Sequence, residues 1–238
     1  MDAAYFKELW PVLNEGFWLS LKIIVPSATL GLAIGVLVGA VRGTGYPKFL
    51  VRPLNIYVSL FRGTALAMQL VVVYYGLPDL GRPLKAFCLA HDLPALWKLC
   101  YLSPYAASVL VFSLCSGAYH SEYIRGAILS IKKGQFQAAK ALGLTRAQTF
   151  RTIVIPQALR RAWPGCGNEI VYLIKYSSLA MLLSAKELTS VAKAMADYEF
   201  RYTETFFAAG LYYLFLVSVA AWIMRRLEKH YAIPGFGR

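Results

Sequence analysis

Residues 134–164 read GQFQAAKALGLTRAQTFRTIVIPQALRRAWP, and this stretch decides how the rest of the chain is interpreted. It predicts a short helix, a turn at Gly143-Leu144-Thr145 and a second helix. Thr145 can begin the second helix, because a threonine side chain accepts a hydrogen bond from one of the free N–H groups at a helix start. The stretch is therefore predicted to be ordered, unlike a loose connector.

Both predicted helices are amphipathic. Apolar residues share a face by helical spacing, namely Ala138, Ala139 and Leu142 on the first helix and Phe150, Ile153 and Val154 on the second. Basic amphipathic helices lie on anionic lipid, which would explain the arginines. That interpretation does not explain why about 45 residues lie between the flanking apolar segments when two other loops are near 20. A docking surface for a partner protein accounts better for the length.

The rest of the chain has the composition of a membrane protein. Of its 238 residues, 58% are hydrophobic and only 16% are charged, whereas soluble domains average about a quarter charged. Apolar residues cluster in five segments of near-spanning length, which run roughly over 16–41, 57–77, 104–119, 167–185 and 206–224. We predict an all-α integral membrane protein with five transmembrane helices in a single domain over 1–238, its core at about 16–228. The N-terminus lacks the basic region of a cleaved signal peptide, so the first segment is expected to stay in the protein.

The loop charges predict an orientation. Alternate loops hold sixteen Lys and Arg residues on one side of the membrane and seven on the other, and the acids are distributed two against nine. Because basic residues favour the cytoplasmic side, the N-terminus is predicted outside and the C-terminus inside. The net charge of +13 is thus assigned to loops that face anionic lipid, and no nucleic acid is expected.

Enzymatic and metal-site motifs are missing from the sequence. It has no CxxC, HExxH, GxSxG or Walker A lysine, so no metal, catalytic residue or bound cofactor is expected. Cys88 and Cys100 lie in one polar loop and either pair, if that loop faces an oxidising compartment, or remain free thiols. In the first segment, four glycines at intervals of four form a smooth strip for close helix packing, either within the chain or at a dimer seam: Gly31, Gly35, Gly39 and Gly43.

The 134–164 stretch resembles a motif of the permease subunits of binding-protein-dependent ABC importers. That motif runs EAA, three residues, Gly, nine residues, then Ile-x-Leu-Pro. Here Gln137-Ala138-Ala139, Gly143 and Ile153-Val154-Ile155-Pro156 occur at matching spacing. Gln137 stands where the family has an acid, and Ile155 stands where it has leucine. The resemblance implies that Gln137, Ala138, Ala139, Gly143, Ile153 and Pro156 belong to a loop, about 134–161, that couples to an ATPase.

The chain is similar to one branch of that family, the polar amino acid permeases, over roughly residues 16–230. The branch motifs occur in chain order: Arg62-Gly63-Thr64, Gln69-Leu70, Tyr74-Tyr75-Gly76-Leu77-Pro78, Ser116-Gly117-Ala118-Tyr119, Glu122, Arg125-Gly126-Ala127-Ile128, Pro156-Gln157-Ala158-Leu159-Arg160, Gly167-Asn168-Glu169, Leu173-Ile174-Lys175 and Ser177-Ser178-Leu179. Ala65 replaces a usual proline, which predicts a straighter second helix.

The resemblance also implies an assembly. It predicts the type I ABC importer permease fold with the coupling loop between helices 3 and 4, in a bacterial cytoplasmic (inner) membrane. The expected partners are a second permease subunit, identical or different, a pair of ATPase subunits that use ATP and Mg, an external solute-binding protein and membrane lipid. A self-contained channel or ion-coupled transporter is the alternative, although the sequence shows no internal repeat of the kind such transporters often have. A membrane enzyme is the third hypothesis.

Ionisable residues inside the fourth segment are candidates for solute contact, because charge within a membrane is costly. Glu169 and Lys175 lie about 120° apart on a helix, whereas Glu169, Tyr176 and Ser177 fall near one face. The structural alternatives are that Glu169 pairs with Arg160 or Arg161, and that Lys175 caps carbonyls or extends to the membrane surface. Two further candidates lie in the second segment: Arg62 and Gln69. Tyr176 stands where the branch is often acidic, which argues against a dibasic solute.

Overall fold

The structure is a computed structural model that describes residues 3–44, 47–79, 81–83 and 101–231. In those ranges it contains helices and no strands. The helices are α1 Ala3–Gly43, α2 Lys48–Gly63, α3 Leu66–Val71, α4 Pro104–Leu129, α5 Lys133–Ala141, α6 Arg146–Thr149, α7 Ile155–Tyr176, α8 Leu188–Glu199 and α9 Tyr202–Tyr231. Wider π turns follow α3 at Val72–Gly76 and α6 at Phe150–Val154, and a 3₁₀ helix at Ser177–Leu183 follows α7. Cys88 and Cys100 lie outside the described residues; Cys115 and Cys166 are buried free thiols.

Within the described residues, two helices are long and apolar enough to cross a membrane. These are Tyr5–Gly43, with a mean hydropathy of 2.1, and Tyr202–His230, with 2.0. A third span is obtained if the broken pair Lys48–Gly63 and Leu66–Pro83 counts as one. The all-helical membrane fold is therefore confirmed, whereas the number of five spans stays a prediction.

The chain folds as two compact units. The first unit comprises residues 1–28, 64–113 and 173–217, and the second comprises 29–63, 114–172 and 218–238. In the first unit, α1 begins well before the predicted apolar segment. Its early residues Tyr5, Leu9 and Leu13 are buried with Leu188, Ala192 and Ala209, residues far away in sequence. This packing explains why the helix extends back to Ala3.

In the second unit, the glycine strip of α1 packs against α4. A Cβ atom on Gly35 would collide with Cβ of His120, and one on Gly39 would lie 2.8 Å from the Ser121 carbonyl oxygen. A Cβ on Gly43 would lie 2.8 Å from the side chain of Ile128. These glycines therefore serve close packing within this chain.

The second apolar segment is not one straight helix. Ala65 has extended backbone angles, φ −68° and ψ 129°, and separates α2 from α3. The side-chain amide of Gln69 donates to the carbonyl oxygen of Thr64 at 3.2 Å and to its hydroxyl at 2.8 Å. The prediction that Ala65 straightens this helix is wrong, because Gln69 closes a new turn onto the backbone just before it.

Candidate coupling and solute-contact sites

The predicted coupling segment, about residues 134–161, has the helix, turn and helix expected from the sequence. Thr145 begins α6 with a reciprocal cap, in which its hydroxyl accepts from the Gln148 N–H at 3.3 Å. The Gln148 side chain in turn accepts from the Thr145 N–H at 2.8 Å. The predicted cap at Thr145 is therefore confirmed, and it fixes where the second helix starts.

Gly143 ends α5 in a left-handed conformation, with φ +74°. The Leu144 N–H donates to the Ala139 carbonyl at 3.0 Å, and the Gly143 N–H donates to the Lys140 carbonyl at 3.0 Å. This pair of bonds is a Schellman cap, which satisfies two carbonyls at a helix end and favours glycine at the left-handed position. A Cβ at Gly143 would have no atom within 4 Å, so the requirement for glycine there comes from the backbone and not from space.

The exposed surface of α5 differs from the predicted face. Ala139 is buried, at 1% exposure, whereas Ala138 is exposed and Leu142 is 79% exposed. The prediction that Ala138, Ala139 and Leu142 share a face is wrong for Ala139, which is buried, whereas Ala138 and Leu142, four residues apart, are both exposed. The segment instead presents an outward patch, by which we mean four exposed residues: Gln137, Ala138, Ala141 and Leu142.

Three polar side chains anchor the coupling segment within the second unit. The Arg146 guanidinium donates to the carbonyl oxygen of Thr44, just after α1. Gln157 donates to Gln135 at 2.9 Å. Arg161 donates at 2.9 Å to both the carbonyl and the hydroxyl of Ser130, just after α4. The outward patch is thus carried by a segment fixed to the ends of two long helices.

The other two predicted coupling residues lie where α6 leads into α7. Ile153 is partly buried in the π turn, and Pro156 is exposed at the second position of α7. Proline has no N–H, so the carbonyl four residues earlier, that of Thr152, cannot accept the usual helical bond. The π turn ends at Val154, two residues before Pro156, and the helical path from Arg146 to Tyr176 is unbroken.

Among the candidates for solute contact in the second unit, Glu169 is the most buried, at 3% exposure. Its carboxylate makes no hydrogen bond or ion pair with a described residue, and the predicted alternative pairing with Arg160 or Arg161 is not present. Arg62 is a positively charged residue whose charge acts on the Glu169 carboxylate. The Arg62 guanidinium lies 5.2 Å above the Tyr119 ring and is partly exposed.

Glu122 is a charge centre whose role the sequence analysis missed. Its carboxylate lies 2.6 Å from Arg42, 3.1 Å from Arg125 and 3.8 Å from Arg62. Arg42 is almost fully buried and also donates to Asn55 at 2.7 Å. The sequence offered one signal for this role, because Glu122 is the only acid in a predicted loop that contains eight Lys and Arg residues.

The first unit holds the remaining candidates. Gln69 is engaged by Thr64, and Ser177 is fully buried, with its hydroxyl donating to the Ile174 carbonyl at 2.7 Å. Lys175 is exposed and Tyr176 is partly buried. Solute contact by these residues stays a prediction.

A further exposed polar pair on α7, in the second unit, was also missed. Asn168 and Tyr172 are both exposed, Tyr172 at 47%, and residues four apart lie on one helix face. Pro164 continues this stripe one turn earlier. Their spacing of four was visible in the sequence.

Comparison with known proteins places the chain in a family. Residues 31–233 match the family described as binding-protein-dependent transport system inner membrane component. The glutamine transport system permease protein GlnP of Escherichia coli (strain K12) is 35% identical over 94% of each chain. The octopine transport system permease protein OccM of Rhizobium radiobacter is 34% identical, over 95% of this chain and 89% of its own length. The arginine transport system permease protein ArtQ of Bacillus subtilis (strain 168) is 32% identical over 92% of each chain.

Solved structures agree with this placement. An amino acid ABC transporter crystallised with histidines has a chain that superposes with a TM-score of 0.82 at 25% identity, covering 97% of this chain and 99% of that one. The MetNI methionine ABC transporter in an inward-facing conformation gives a TM-score of 0.76 at 18% identity, over 98% and 100% of the two chains. The second comparison shows the shared fold.

Proposed function

Because the chain belongs to the family of binding-protein-dependent transport system inner membrane components, we propose that it carries a polar amino acid through the bacterial cytoplasmic membrane. It is a permease subunit of an ABC importer, and ATP hydrolysis belongs to a separate subunit. The proposed solute class is supported by the names of similar permeases, which are assigned to glutamine, arginine and octopine.

The second unit offers two groups that suit an amino acid. Arg62 is partly exposed and can bind a carboxylate, because a guanidinium group donates hydrogen bonds in the geometry that a carboxylate accepts. Glu169 is a buried carboxylate that forms no hydrogen bond or ion pair with the described residues, and an ammonium group would satisfy it. We assign the α-carboxylate to Arg62 and the α-ammonium to Glu169. Lys175, Tyr176, Ser177 and Gln69 are proposed as further residues along the pathway.

The proposed assembly is a dimer of this chain with a second permease subunit, two ATPase subunits that use ATP and Mg, and an external binding protein. Five spans with the N-terminus outside are proposed on the loop charges, because the loop with the most cations contains the coupling segment. That loop then faces the cytoplasm, where the ATPase subunits and their ATP are.

One observation carries the coupling proposal. Leu142 is 79% exposed although it sits on an ordered and anchored segment. An apolar side chain held outward at a capped helix end is suited to insertion into a partner's apolar pocket. The outward patch is therefore the proposed contact with the ATPase subunit.

The test is capture of the ATPase subunit by the detergent-solubilised chain. Leu142→Asp is expected to reduce capture at least tenfold, whereas Leu142→Met retains it. Ala147→Asp places the same charge at an exposed position of α6 and is expected to keep capture. Equal capture by Leu142→Asp and the unmodified chain would refute this docking site, and uptake by proteoliposomes without any ATPase would favour the self-contained transporter.

Solute contact is tested by uptake in proteoliposomes with the complete importer, using a panel of labelled polar amino acids. Arg62→Gln and Glu169→Gln are each expected to reduce uptake at least tenfold while ATPase capture is retained. Arg125→Gln is the matched control, since Arg125 also contacts Glu122 but is not assigned to the solute. Normal uptake by both test variants would refute the assignment.

A further inference from the structure

The C-terminal part of α9 has one strongly cationic face. Trp222, Arg225, Arg226 and Lys229 follow the spacing of three and four that places residues on one side of a helix. All four are exposed. Together they line a cavity of 280 Å³, and the Arg226 guanidinium lies 5.3 Å above the Trp222 ring. We call these four residues the cationic face.

The cations of this face are not held in ion pairs with described residues. Within the part of the chain that the structure describes, none of its three cations forms an ion pair with a carboxylate. Glu228 lines a neighbouring cavity together with Arg225, but no ion pair joins these two described residues. The negative end of the helix dipole is equivalent to about half a charge and acts within the last turn. The dipole therefore does not offset the positive charges of Arg225 and Arg226, which lie before that turn.

A groove of mixed lining adjoins the cationic face. A second cavity, of 210 Å³, lies between α7 and α9 and shares Arg225 with the first. Its walls include the apolar Val171, Ala221 and Met224, and also the polar Asn168 and Glu228. Glycine at position 167 keeps the groove open. A Cβ atom there would lie 3.3 Å from the Cβ atom of Met224 and would narrow it. A polar group held at the cationic face could thus place an attached hydrocarbon chain in the groove.

We propose that the cationic face binds the phosphate of an anionic phospholipid, with one acyl chain in the groove between α7 and α9. The helix supports this occupant: Tyr202–His230 is long and apolar enough to span a membrane, and only 11% of its most apolar window is buried in the chain. Its basic end therefore lies at the level of the headgroups, where tryptophan is also enriched. Basic pockets between spanning helices bind anionic lipid headgroups. The inference rests on membrane insertion of α9 and not on the identity of the solute.

The experiment uses the full chain in nanodiscs with Trp222 as the only tryptophan, after replacement of Trp10, Trp18, Trp97 and Trp163 by phenylalanine. Quenching of Trp222 by brominated phosphatidylglycerol is compared with quenching by brominated phosphatidylcholine. The proposal expects a preference for the anionic lipid. Each cation is worth about a fivefold preference, so Arg226→Gln should reduce the preference about fivefold. The triple variant Arg225→Gln, Arg226→Gln, Lys229→Gln should reduce it to about one.

In the matched control, glutamine replaces three exposed lysines at or just before the coupling segment, namely Lys132, Lys133 and Lys140, and the preference should be retained. Equal quenching by the two lipids in the parent protein would overturn the proposal. Quenching by neither lipid would also overturn it, because a protein partner would then cover the face. Displacement of the lipid by inorganic phosphate would show a site for the free ion and likewise refute it.

Discussion

Replacement of Gly143 tests whether the shape of the coupling segment matters for transport. Its φ of +74° costs a residue with a Cβ roughly 1–2 kcal/mol. No side-chain clash adds to this, because a Cβ would meet no atom within 4 Å. Gly143→Ala is therefore expected to shift the equilibrium between the capped and the frayed end of α5 by about 5- to 30-fold. The Schellman bonds of Leu144 and Gly143 would be lost in the frayed form, and the outward patch would lose its fixed position.

The assay is solute-stimulated ATP hydrolysis by the complete importer in proteoliposomes. Gly143→Asn is the graded variant, since asparagine tolerates the left-handed conformation better than alanine. The expected order of stimulated rates is Gly143, then Gly143→Asn, then Gly143→Ala. Gly134→Ala is the matched control, because Gly134 is also exposed in α5, has no neighbour within 4 Å and lacks a positive φ.

Two results would refute this reasoning. If Gly143→Ala supports the unmodified rate, the left-handed cap is not needed for coupling. If Gly134→Ala is as defective as Gly143→Ala, the segment is sensitive to any added side chain, and the backbone argument fails. Basal ATP hydrolysis and expression in the membrane show in the same preparations whether the complex has assembled.

Three stability predictions can be checked together by unfolding in a mixed-detergent titration. Gly39→Ala is expected to destabilise by about 1–3 kcal/mol, since its Cβ would lie 2.8 Å from a backbone carbonyl oxygen, whereas Gly126→Ala, with no neighbour within 4 Å, should not. Arg42→Gln should cost about 3 kcal/mol, because it breaks a nearly buried ion pair, and Arg125→Gln, at a 37% exposed side chain, below about 1 kcal/mol. Glu187→Ala should cost about 1–2 kcal/mol, since its carboxylate caps α8 by accepting from the Ser190 N–H at 2.7 Å and the Thr189 N–H at 2.9 Å. Equal effects within either matched pair, or no effect at Glu187, would contradict the corresponding packing argument.

The sequence predicted those features that depend on nearby residues. The cap at Thr145 and the turn at Gly143 were predictable because their hydrogen bonds join residues at most five apart. The exposure of Leu142 was not, because helical spacing shows which residues share a face but not which face the rest of the chain covers.

Contacts between distant parts of the chain explain the other differences. The start of α1 depends on the burial of Leu9 and Leu13 beside Leu188. The charge centre at Glu122 depends on Arg42, eighty residues earlier. Neither partner can be identified from local periodicity in one sequence. The break at Ala65 is local, but it depends on the way that the Gln69 side chain turns back, which composition does not reveal.

The helical path from Arg146 to Tyr176 connects the two proposed activities. It runs through α6, the π turn and α7 without a break, and 31 residues of helix are about 46 Å long. Its first residue holds the end of α1 through the Thr44 carbonyl, and its later part carries Glu169. If the ATPase displaces the outward patch, Arg146 and Arg161 must follow, because both anchor this segment. Glu169 lies on the same helix as Arg161, so such a displacement reaches the proposed solute contact along covalent backbone. The π turn before Pro156 is the point where this path departs from regular α geometry, and it is therefore where the displacement can be absorbed or passed on.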